Sequence, residues 1–272
     1  MKKRTITIIA SIIIIILLGL LFFKYTQDTP APNSDGSLNA QASFVQQQGL
    51  KDKIKLAKYQ NKDKSFIGSV HTPYGQGTGF AINAHTFITA GHVVETPKQH
   101  KNVKTNDITF KLNRTSNTDG TLIHANKVDR LNQKMKHGST DIAVIHTNEA
   151  MHAKHFAQLP QQNQAIHLKD KDRIYSIGYP KGHRNNFKRF QSTGFITHVN
   201  NTAYPEMIVT LPILSGQSGS PIFTQDDTLI GLVTTTYYYS KQDRNQKVRQ
   251  SAIGMNTVFD KATLKWINKH AN

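Results

Sequence analysis

Three short stretches carry the residue types of nucleophilic catalysis. "SGQSGSP" (215–221) sets Ser218 among glycines, "ITAGHVV" (88–94) delivers His92 at the end of an apolar run, and "STDIAVIHT" (139–147) opens another such run with Asp141. A serine hydroxyl attacks poorly until a base takes its proton, and the reaction also needs backbone N–H donors aimed at the developing oxyanion. Glycines around Ser218 let the chain turn sharply and present amides with no side chain in the way. An imidazole, with an ordinary pKa near ~6.5, shuttles protons around neutrality. A carboxylate such as Asp141 can accept the second imidazole N–H and fix the tautomer. Each stretch alone has a plainer reading. Ser-Gly runs are common in loops, the chain has 13 histidines, and an aspartate at the start of a strand is ordinary.

The elements that must position these residues are mostly strands. From about Ser65 the chain breaks into short β-branched runs between Gly, Asn and Asp turns: 66–70, 77–82, 86–90, 108–112, 121–128, 141–147, 173–179, 190–199, 207–211 and 228–236. No long helical pattern separates them, which argues for an all-β barrel or sandwich and against a parallel α/β sheet. One helix is expected at the end, over 257–270. Phe259, Ala262, Trp266 and Ile267 recur there at helical spacing, and Asn256 or Thr257 can cap it.

The amino-terminal quarter differs. Lys2, Lys3 and Arg4 precede an apolar run over 6–23 closed by Lys24, and those 18 residues span about 27 Å as a helix, close to a bilayer's hydrocarbon core. The basic flank predicts residues 1–5 in the cytoplasm, a transmembrane anchor over 6–23 and everything beyond it outside the cell. A cleavable signal segment, cut near Ala40-Gln41-Ala42 and releasing a secreted protein, is the alternative. Residues 24–64 read as an extracellular linker or pro-segment, Pro/Asn/Ser-rich at first, with a weak amphipathic helical pattern over 44–58.

Taken together, the order His92, Asp141, Ser218, with gaps of 49 and 77 residues, resembles the chymotrypsin-like (trypsin-like) serine proteases. The α/β-hydrolase order Ser-Asp-His fails, because only His270 follows Ser218. Residues 65–272 carry the motifs of the family in series: "GTGF", "TAGHVV", "DIAVI", "IGYP", "GQSGSP" and "LIGLV". The cysteine-free composition and the Gly-x-Ser-Gly-Ser-Pro form are most similar to the bacterial V8-like glutamyl endopeptidase branch. That resemblance implies two six-stranded antiparallel β-barrels, about 65–155 and 165–255, with the site between them and a C-terminal helix after them. It implies His92 as base, Asp141 as its orienter and Ser218 as nucleophile. The N–H groups of Gly216 and Ser218 would form the oxyanion hole. The implied activity is endopeptidase cleavage of protein or peptide substrates through an acyl-enzyme, which requires no metal and no organic cofactor. His152 and His155 carry no zinc motif.

Two departures from the family pattern matter. In trypsin-like zymogens an aspartate before the nucleophile pairs with a freed amino terminus. Here Gln217 stands in that place and cannot form the ion pair. In the V8-like branch a threonine five residues before the serine and a histidine fifteen after it help bind a substrate glutamate. The matching positions are Ile213 and Val233, with Thr234 beside them. Two apolar side chains offer a carboxylate no donor, so the expected primary specificity is apolar or uncharged.

The net charge of +17, from 34 Lys+Arg against 17 Asp+Glu, favours polyanions or simply solubility. No nucleic-acid motif accompanies it, so no nucleic acid is expected. The basic stretch 181–190, with Lys181, Arg184, Lys188 and Arg189, is the candidate contact for an anionic surface polymer, or else a solvated loop. A protease fold used only for binding is the rival functional class.

Overall fold

A computed structural model describes residues 55–56, 64–112, 120–135, 138–161, 167–181, 188–200, 206–242 and 248–271. The expected anchor over 6–23, most of the linker and Arg184 lie outside these residues. No helix among the described residues is long and apolar enough to cross a membrane.

A two-residue strand, β1 (Lys55–Leu56), precedes two antiparallel barrels. The first contains β2 (Ile67–Thr72), β3 (Gly75–Asn83), β4 (Thr86–Thr89), β5 (Thr109–Leu112), β6 (Thr121–Met135) and β7 (Gly138–Thr147). These close in the order β2-β3-β4-β7-β6-β5. The second contains β8 (Arg173–Gly178), β9 (Phe190–Asn200), β10 (Glu206–Val209), β11 (Pro221–Thr224), β12 (Leu229–Gln242) and β13 (Val248–Val258). Its order is β9-β10-β13-β12-β11-β8, and β8 pairs back onto β9 to complete a six-stranded ring. β1 adds to the outer edge of β9, Lys55 opposite Gln191 and Leu56 opposite Phe190. The two-barrel, all-β architecture expected from the sequence is present.

Local pattern explains most of these strands. In β5 the side chains alternate, Phe110 and Leu112 turned into the barrel and Thr109 and Lys111 left half-buried, which is the two-residue period of a pleated strand. β4 and residues 142–145 of β7 are buried at every position, because their outer faces are covered too. The cover on that side includes the terminal helix α1 (Lys261–Ala271), whose Leu264 and Ile267 join the first barrel's core. His146 Nε2 also donates to the His270 carbonyl at 2.7 Å. Inside the first barrel the Phe87 and Phe110 rings stack with centroids 4.3 Å apart. Such a pair contributes about 1 kcal/mol beyond its buried area. The second barrel has its own core of Ile196, Met207, Val209, Leu211, Ile213, Ile222, Ile230 and Val233.

Three expectations are corrected. The terminal helix begins at Lys261 rather than 257, and β13 runs on to Val258. Asn256 and Thr257 cap nothing, since both sit in β13 ladders opposite Met207 and Leu232, and the Asn256 Oδ1 accepts the Thr234 N–H. Asp260 is the cap, accepting the Thr263 N–H at 2.8 Å. Where residues 44–58 suggested a helix, the two that are described, Lys55 and Leu56, form β1, because an open edge of β9 offers them backbone partners. Finally, Arg189 is not a surface cation. It is 4% exposed, and its guanidinium donates to the Lys64 carbonyl.

Candidate active site

His92 lies in a single 3-10 turn, Gly91–Val94, directly after β4. That turn drops the histidine onto Asp141, which projects from β7 opposite Asn132 of β6. The contact has two points. The His92 backbone N–H donates to Asp141 Oδ1 at 2.8 Å, and the ring Nδ1–H donates to Oδ2. Gly91 makes room for this, since a Cβ there would stand 2.8 Å from the Asp141 carboxylate. The imidazole keeps 45% of its side chain exposed, whereas Asp141 keeps 17%, so the pair is closed at the carboxylate and open at the ring's far edge.

Behind the pair, the Arg130 guanidinium donates to the Glu95 carboxylate and to the His100 carbonyl. Crowding around the imidazole works against its charged form, but the Asp141 carboxylate outweighs it by charge and hydrogen bond, and Glu95 adds to the same side. His92 therefore titrates above the ordinary histidine value. For Asp141, burial opposes ionisation. The charge and the two hydrogen bonds of His92, with help from Arg130, overcome this and hold the carboxyl below its usual range.

Ser218 is half-buried in the loop between β10 and β11 and lines the same cleft as His92, a space of about 410 Å³ that also touches Gln76, Val93, Lys181 and Gly216. The loop's peptides are anchored in alternating directions. The Ser215 carbonyl accepts the Lys181 N–H at 2.6 Å, and the Gln217 carbonyl accepts the Ser220 N–H at 2.9 Å. In a trans peptide the N–H points opposite to the carbonyl, so the N–H groups of Gly216 and Ser218 are both turned away from those anchors. The peptide between them runs the other way: the Gly216 carbonyl accepts the Thr78 hydroxyl, and the Gln217 N–H reaches Leu214. Gly216 has φ +90 and Gly219 φ +85, so the turn needs glycine at both positions. A Cβ at Gly219 would lie 2.1 Å from the Thr78 carbonyl oxygen, which shows how closely the loop is pressed to the first barrel.

His92, Ser218 and Gly216 thus line one cleft, with Asp141 bonded to His92 behind it. Ile213 and Val233 do something different. Both side chains are buried in the second barrel's core, and the half-buried Thr234 donates its N–H to Asn256. Lys181 is exposed at the cleft and Lys188 half-buried, while His152 and His155 are both exposed. The sequence reading did not single out Thr78, whose only signal was its place in "GTGF" next to the first barrel's glycines.

Residues 77–232, more than half of the chain, match the trypsin-like peptidase domain family. Among solved structures, a Glu endopeptidase in complex with MPD aligns with a TM-score of 0.61 at 18% identity, covering 80% of this chain and 95% of its own. A scabies mite inactivated protease paralogue aligns at 0.57 and 15%, covering 79% and 97%. The human heparin binding protein aligns at 0.58 and 13%, covering 79% and 94%. At these identities the structures speak for the fold alone. The matched stretch spans His92, Asp141 and Ser218, and the two barrels close around the cleft that His92 and Ser218 line: this chain belongs to the trypsin-like peptidase domain family and is a serine peptidase.

Proposed function

We propose that the chain is a membrane-anchored extracellular endopeptidase that uses Ser218, His92 and Asp141 as its catalytic triad. The observation that carries this reading is the two-point grip of Asp141 on His92, made in the cleft that also holds Ser218. With Nδ1–H committed to the carboxylate, a neutral His92 keeps its Nε2 lone pair for the serine proton. Ser218 Oγ then bonds to the scissile carbonyl carbon as its proton passes to Nε2. The carbonyl oxygen takes the negative charge in front of the Gly216 and Ser218 N–H groups. Collapse breaks the C–N bond, the imidazolium protonates the leaving amine, and water repeats the sequence on the acyl-enzyme to release the acid. Because the base works only when neutral, the raised His92 pKa places the acid limb of kcat/KM above the ordinary histidine value.

The primary specificity is for an uncharged side chain. The apolar Ile213 and Val233 are committed to the core, and neither supplies a donor for a substrate carboxylate. The apolar run 6–23 with its basic flank anchors the chain, with the protease domain outside the cell. Contact with an anionic surface polymer falls to Lys181, Arg184 and Lys188, without Arg189.

A fluorophosphonate probe applied to the full-length chain in detergent tests the catalytic reading, with Ser218→Ala as control. The expected result is covalent labelling lost in the variant, and cleavage-site profiling rich in uncharged residues before the cut. Absence of Ser218-dependent labelling in folded protein would favour the binding-only alternative. That alternative has one observation behind it, the same fold in an inactivated protease paralogue. Profiles dominated by glutamate would overturn the specificity.

A further inference from the structure

Among the described residues, the loop bearing Ser218 is held in shape by groups inside the domain, and two of them are buried side chains outside the proposed triad. Thr78, on β3 of the first barrel, is fully buried and hydrogen-bonded through its side chain and both backbone groups. Its Oγ1 accepts the Tyr179 N–H at 2.9 Å and donates to the Gly216 carbonyl at 2.8 Å. Its N–H donates to the Ser218 carbonyl at 2.8 Å, and its own carbonyl is held by Thr89 Oγ1 at 2.7 Å. One residue of the first barrel therefore pins the peptides on both sides of the nucleophile. From below, Gln217 folds back under its own turn, with no exposed surface. Its Oε1 accepts the Leu214 N–H at 2.8 Å while its N–H donates to the Leu214 carbonyl at 3.1 Å.

We infer that Thr78 and Gln217 are positioning residues that set the oxyanion-binding geometry of the Ser218 loop, so that the enzyme needs no liberated amino terminus to become competent. This rests on the reading of Ser218 as the nucleophile. The neutral side chain at Gln217 offers a terminal ammonium no ion pair. The side chain is neutral, and its acceptor atom is engaged by Leu214. Its Nε2 is a buried donor with no hydrogen-bond partner among the described residues, so an ammonium would meet donor against donor. The arm ahead of the domain is tied elsewhere: β1 lies on β9, Arg189 holds the Lys64 carbonyl, and the Lys64 ammonium sits 4.1 Å from the centre of the Phe223 ring.

An aligned oxyanion donor is worth about 10²–10³ in kcat. Loosening its support through another residue should cost part of that, roughly 10–100-fold. The test uses full-length protein, with turnover expressed per fluorophosphonate-titrated Ser218. Thr78→Val keeps the shape of the side chain and removes the hydroxyl. Gln217→Met keeps the length and removes both polar ends. Each is expected to lower kcat by that factor with KM within twofold, and to weaken binding of a peptide aldehyde, whose adduct needs the oxyanion site, in step. Thr78→Ser should restore most of the loss, and Gln217→Met should melt close to the wild type because it also removes the unpartnered donor. An engineered cut between Ser43 and Phe44 should leave turnover within twofold. Both variants at wild-type kcat, Thr78→Ser as impaired as Thr78→Val, or a tenfold rise on cutting would each overturn the inference while wild-type labelling still stands. Absence of wild-type labelling would overturn the catalytic reading and this one together.

Discussion

Replacing Asp141 by Asn gives a sharp test of the His92–Asp141 geometry, because the two-point contact decides how the amide must sit. An amide has one acceptor and one donor. The His92 backbone N–H, 2.8 Å from Oδ1, has no alternative orientation, so the Asn oxygen must take that side. The Asn NH₂ then faces Nδ1, where Oδ2 stood. Nδ1 is forced to accept, the ring proton moves to Nε2, and the atom that should receive the Ser218 proton already carries one. Wrong-tautomer variants of such triads lose about 10⁴ in kcat, or about 5.5 kcal/mol of transition-state stabilisation. The substitution also removes the larger of the two charges that raise the His92 pKa, leaving only Glu95 against the crowding that lowers it. The acid limb of whatever activity remains should therefore move to lower pH than in the wild type. The assay is kcat/KM against pH with a peptide substrate, alongside circular dichroism to show that the barrels are intact. Asp141→Asn within tenfold of wild-type kcat, or an acid limb that stays in place, would refute the argument.

Three further outcomes follow from packing. Gly219→Ala puts a side chain at φ +85 and 2.1 Å from the Thr78 carbonyl oxygen. It should lower the urea-unfolding free energy by about 3 kcal/mol, and a loss under 1 would mean the loop has room to move. Asp260→Ala removes the α1 cap and should cost about 1 kcal/mol in the same measurement, with Asp260→Ser recovering most of it. Arg189→Met should lower stability by about 2 kcal/mol by removing a charge-assisted bond to the Lys64 carbonyl, which then keeps only the Ile67 N–H, while retention on an anionic polymer resin stays unchanged. Reduced retention at unchanged stability would reverse that assignment.

The strands, and the residues of the proposed triad, were legible in the sequence for one reason: both depend on local pattern. Alternating apolar residues, the Gly-rich nucleophile turn and the apolar run behind Asp141 are all contained in windows of ten residues or fewer. The elements that went unread break those patterns. β11 begins at Pro221, which reads as a breaker but is tolerated at the first position of a strand. β13 is polar and interrupted by Gly254, so its ladder with β12 rests on backbone pairing more than on hydrophobic period. Its last residues also resemble a capped helix start, and only their cross-strand partners show otherwise.

Within the site, the division falls between residues that do chemistry and residues that hold them. Thr78 bonds to residues 101 and 138 positions away, and Arg189 to one 125 away. No window of sequence contains those pairs. A buried threonine in a strand and a surface-looking arginine have the same residue type whichever barrel they meet. Their roles arise only when the barrels close on each other, and the Ser218 loop takes its shape from that closure. The fold is consequently more than a frame for three side chains. The same interface that assembles His92 and Ser218 in one cleft also pins the peptides that alternate with the two proposed to face the oxyanion. A change at Thr78 should therefore appear in kcat before it appears in stability.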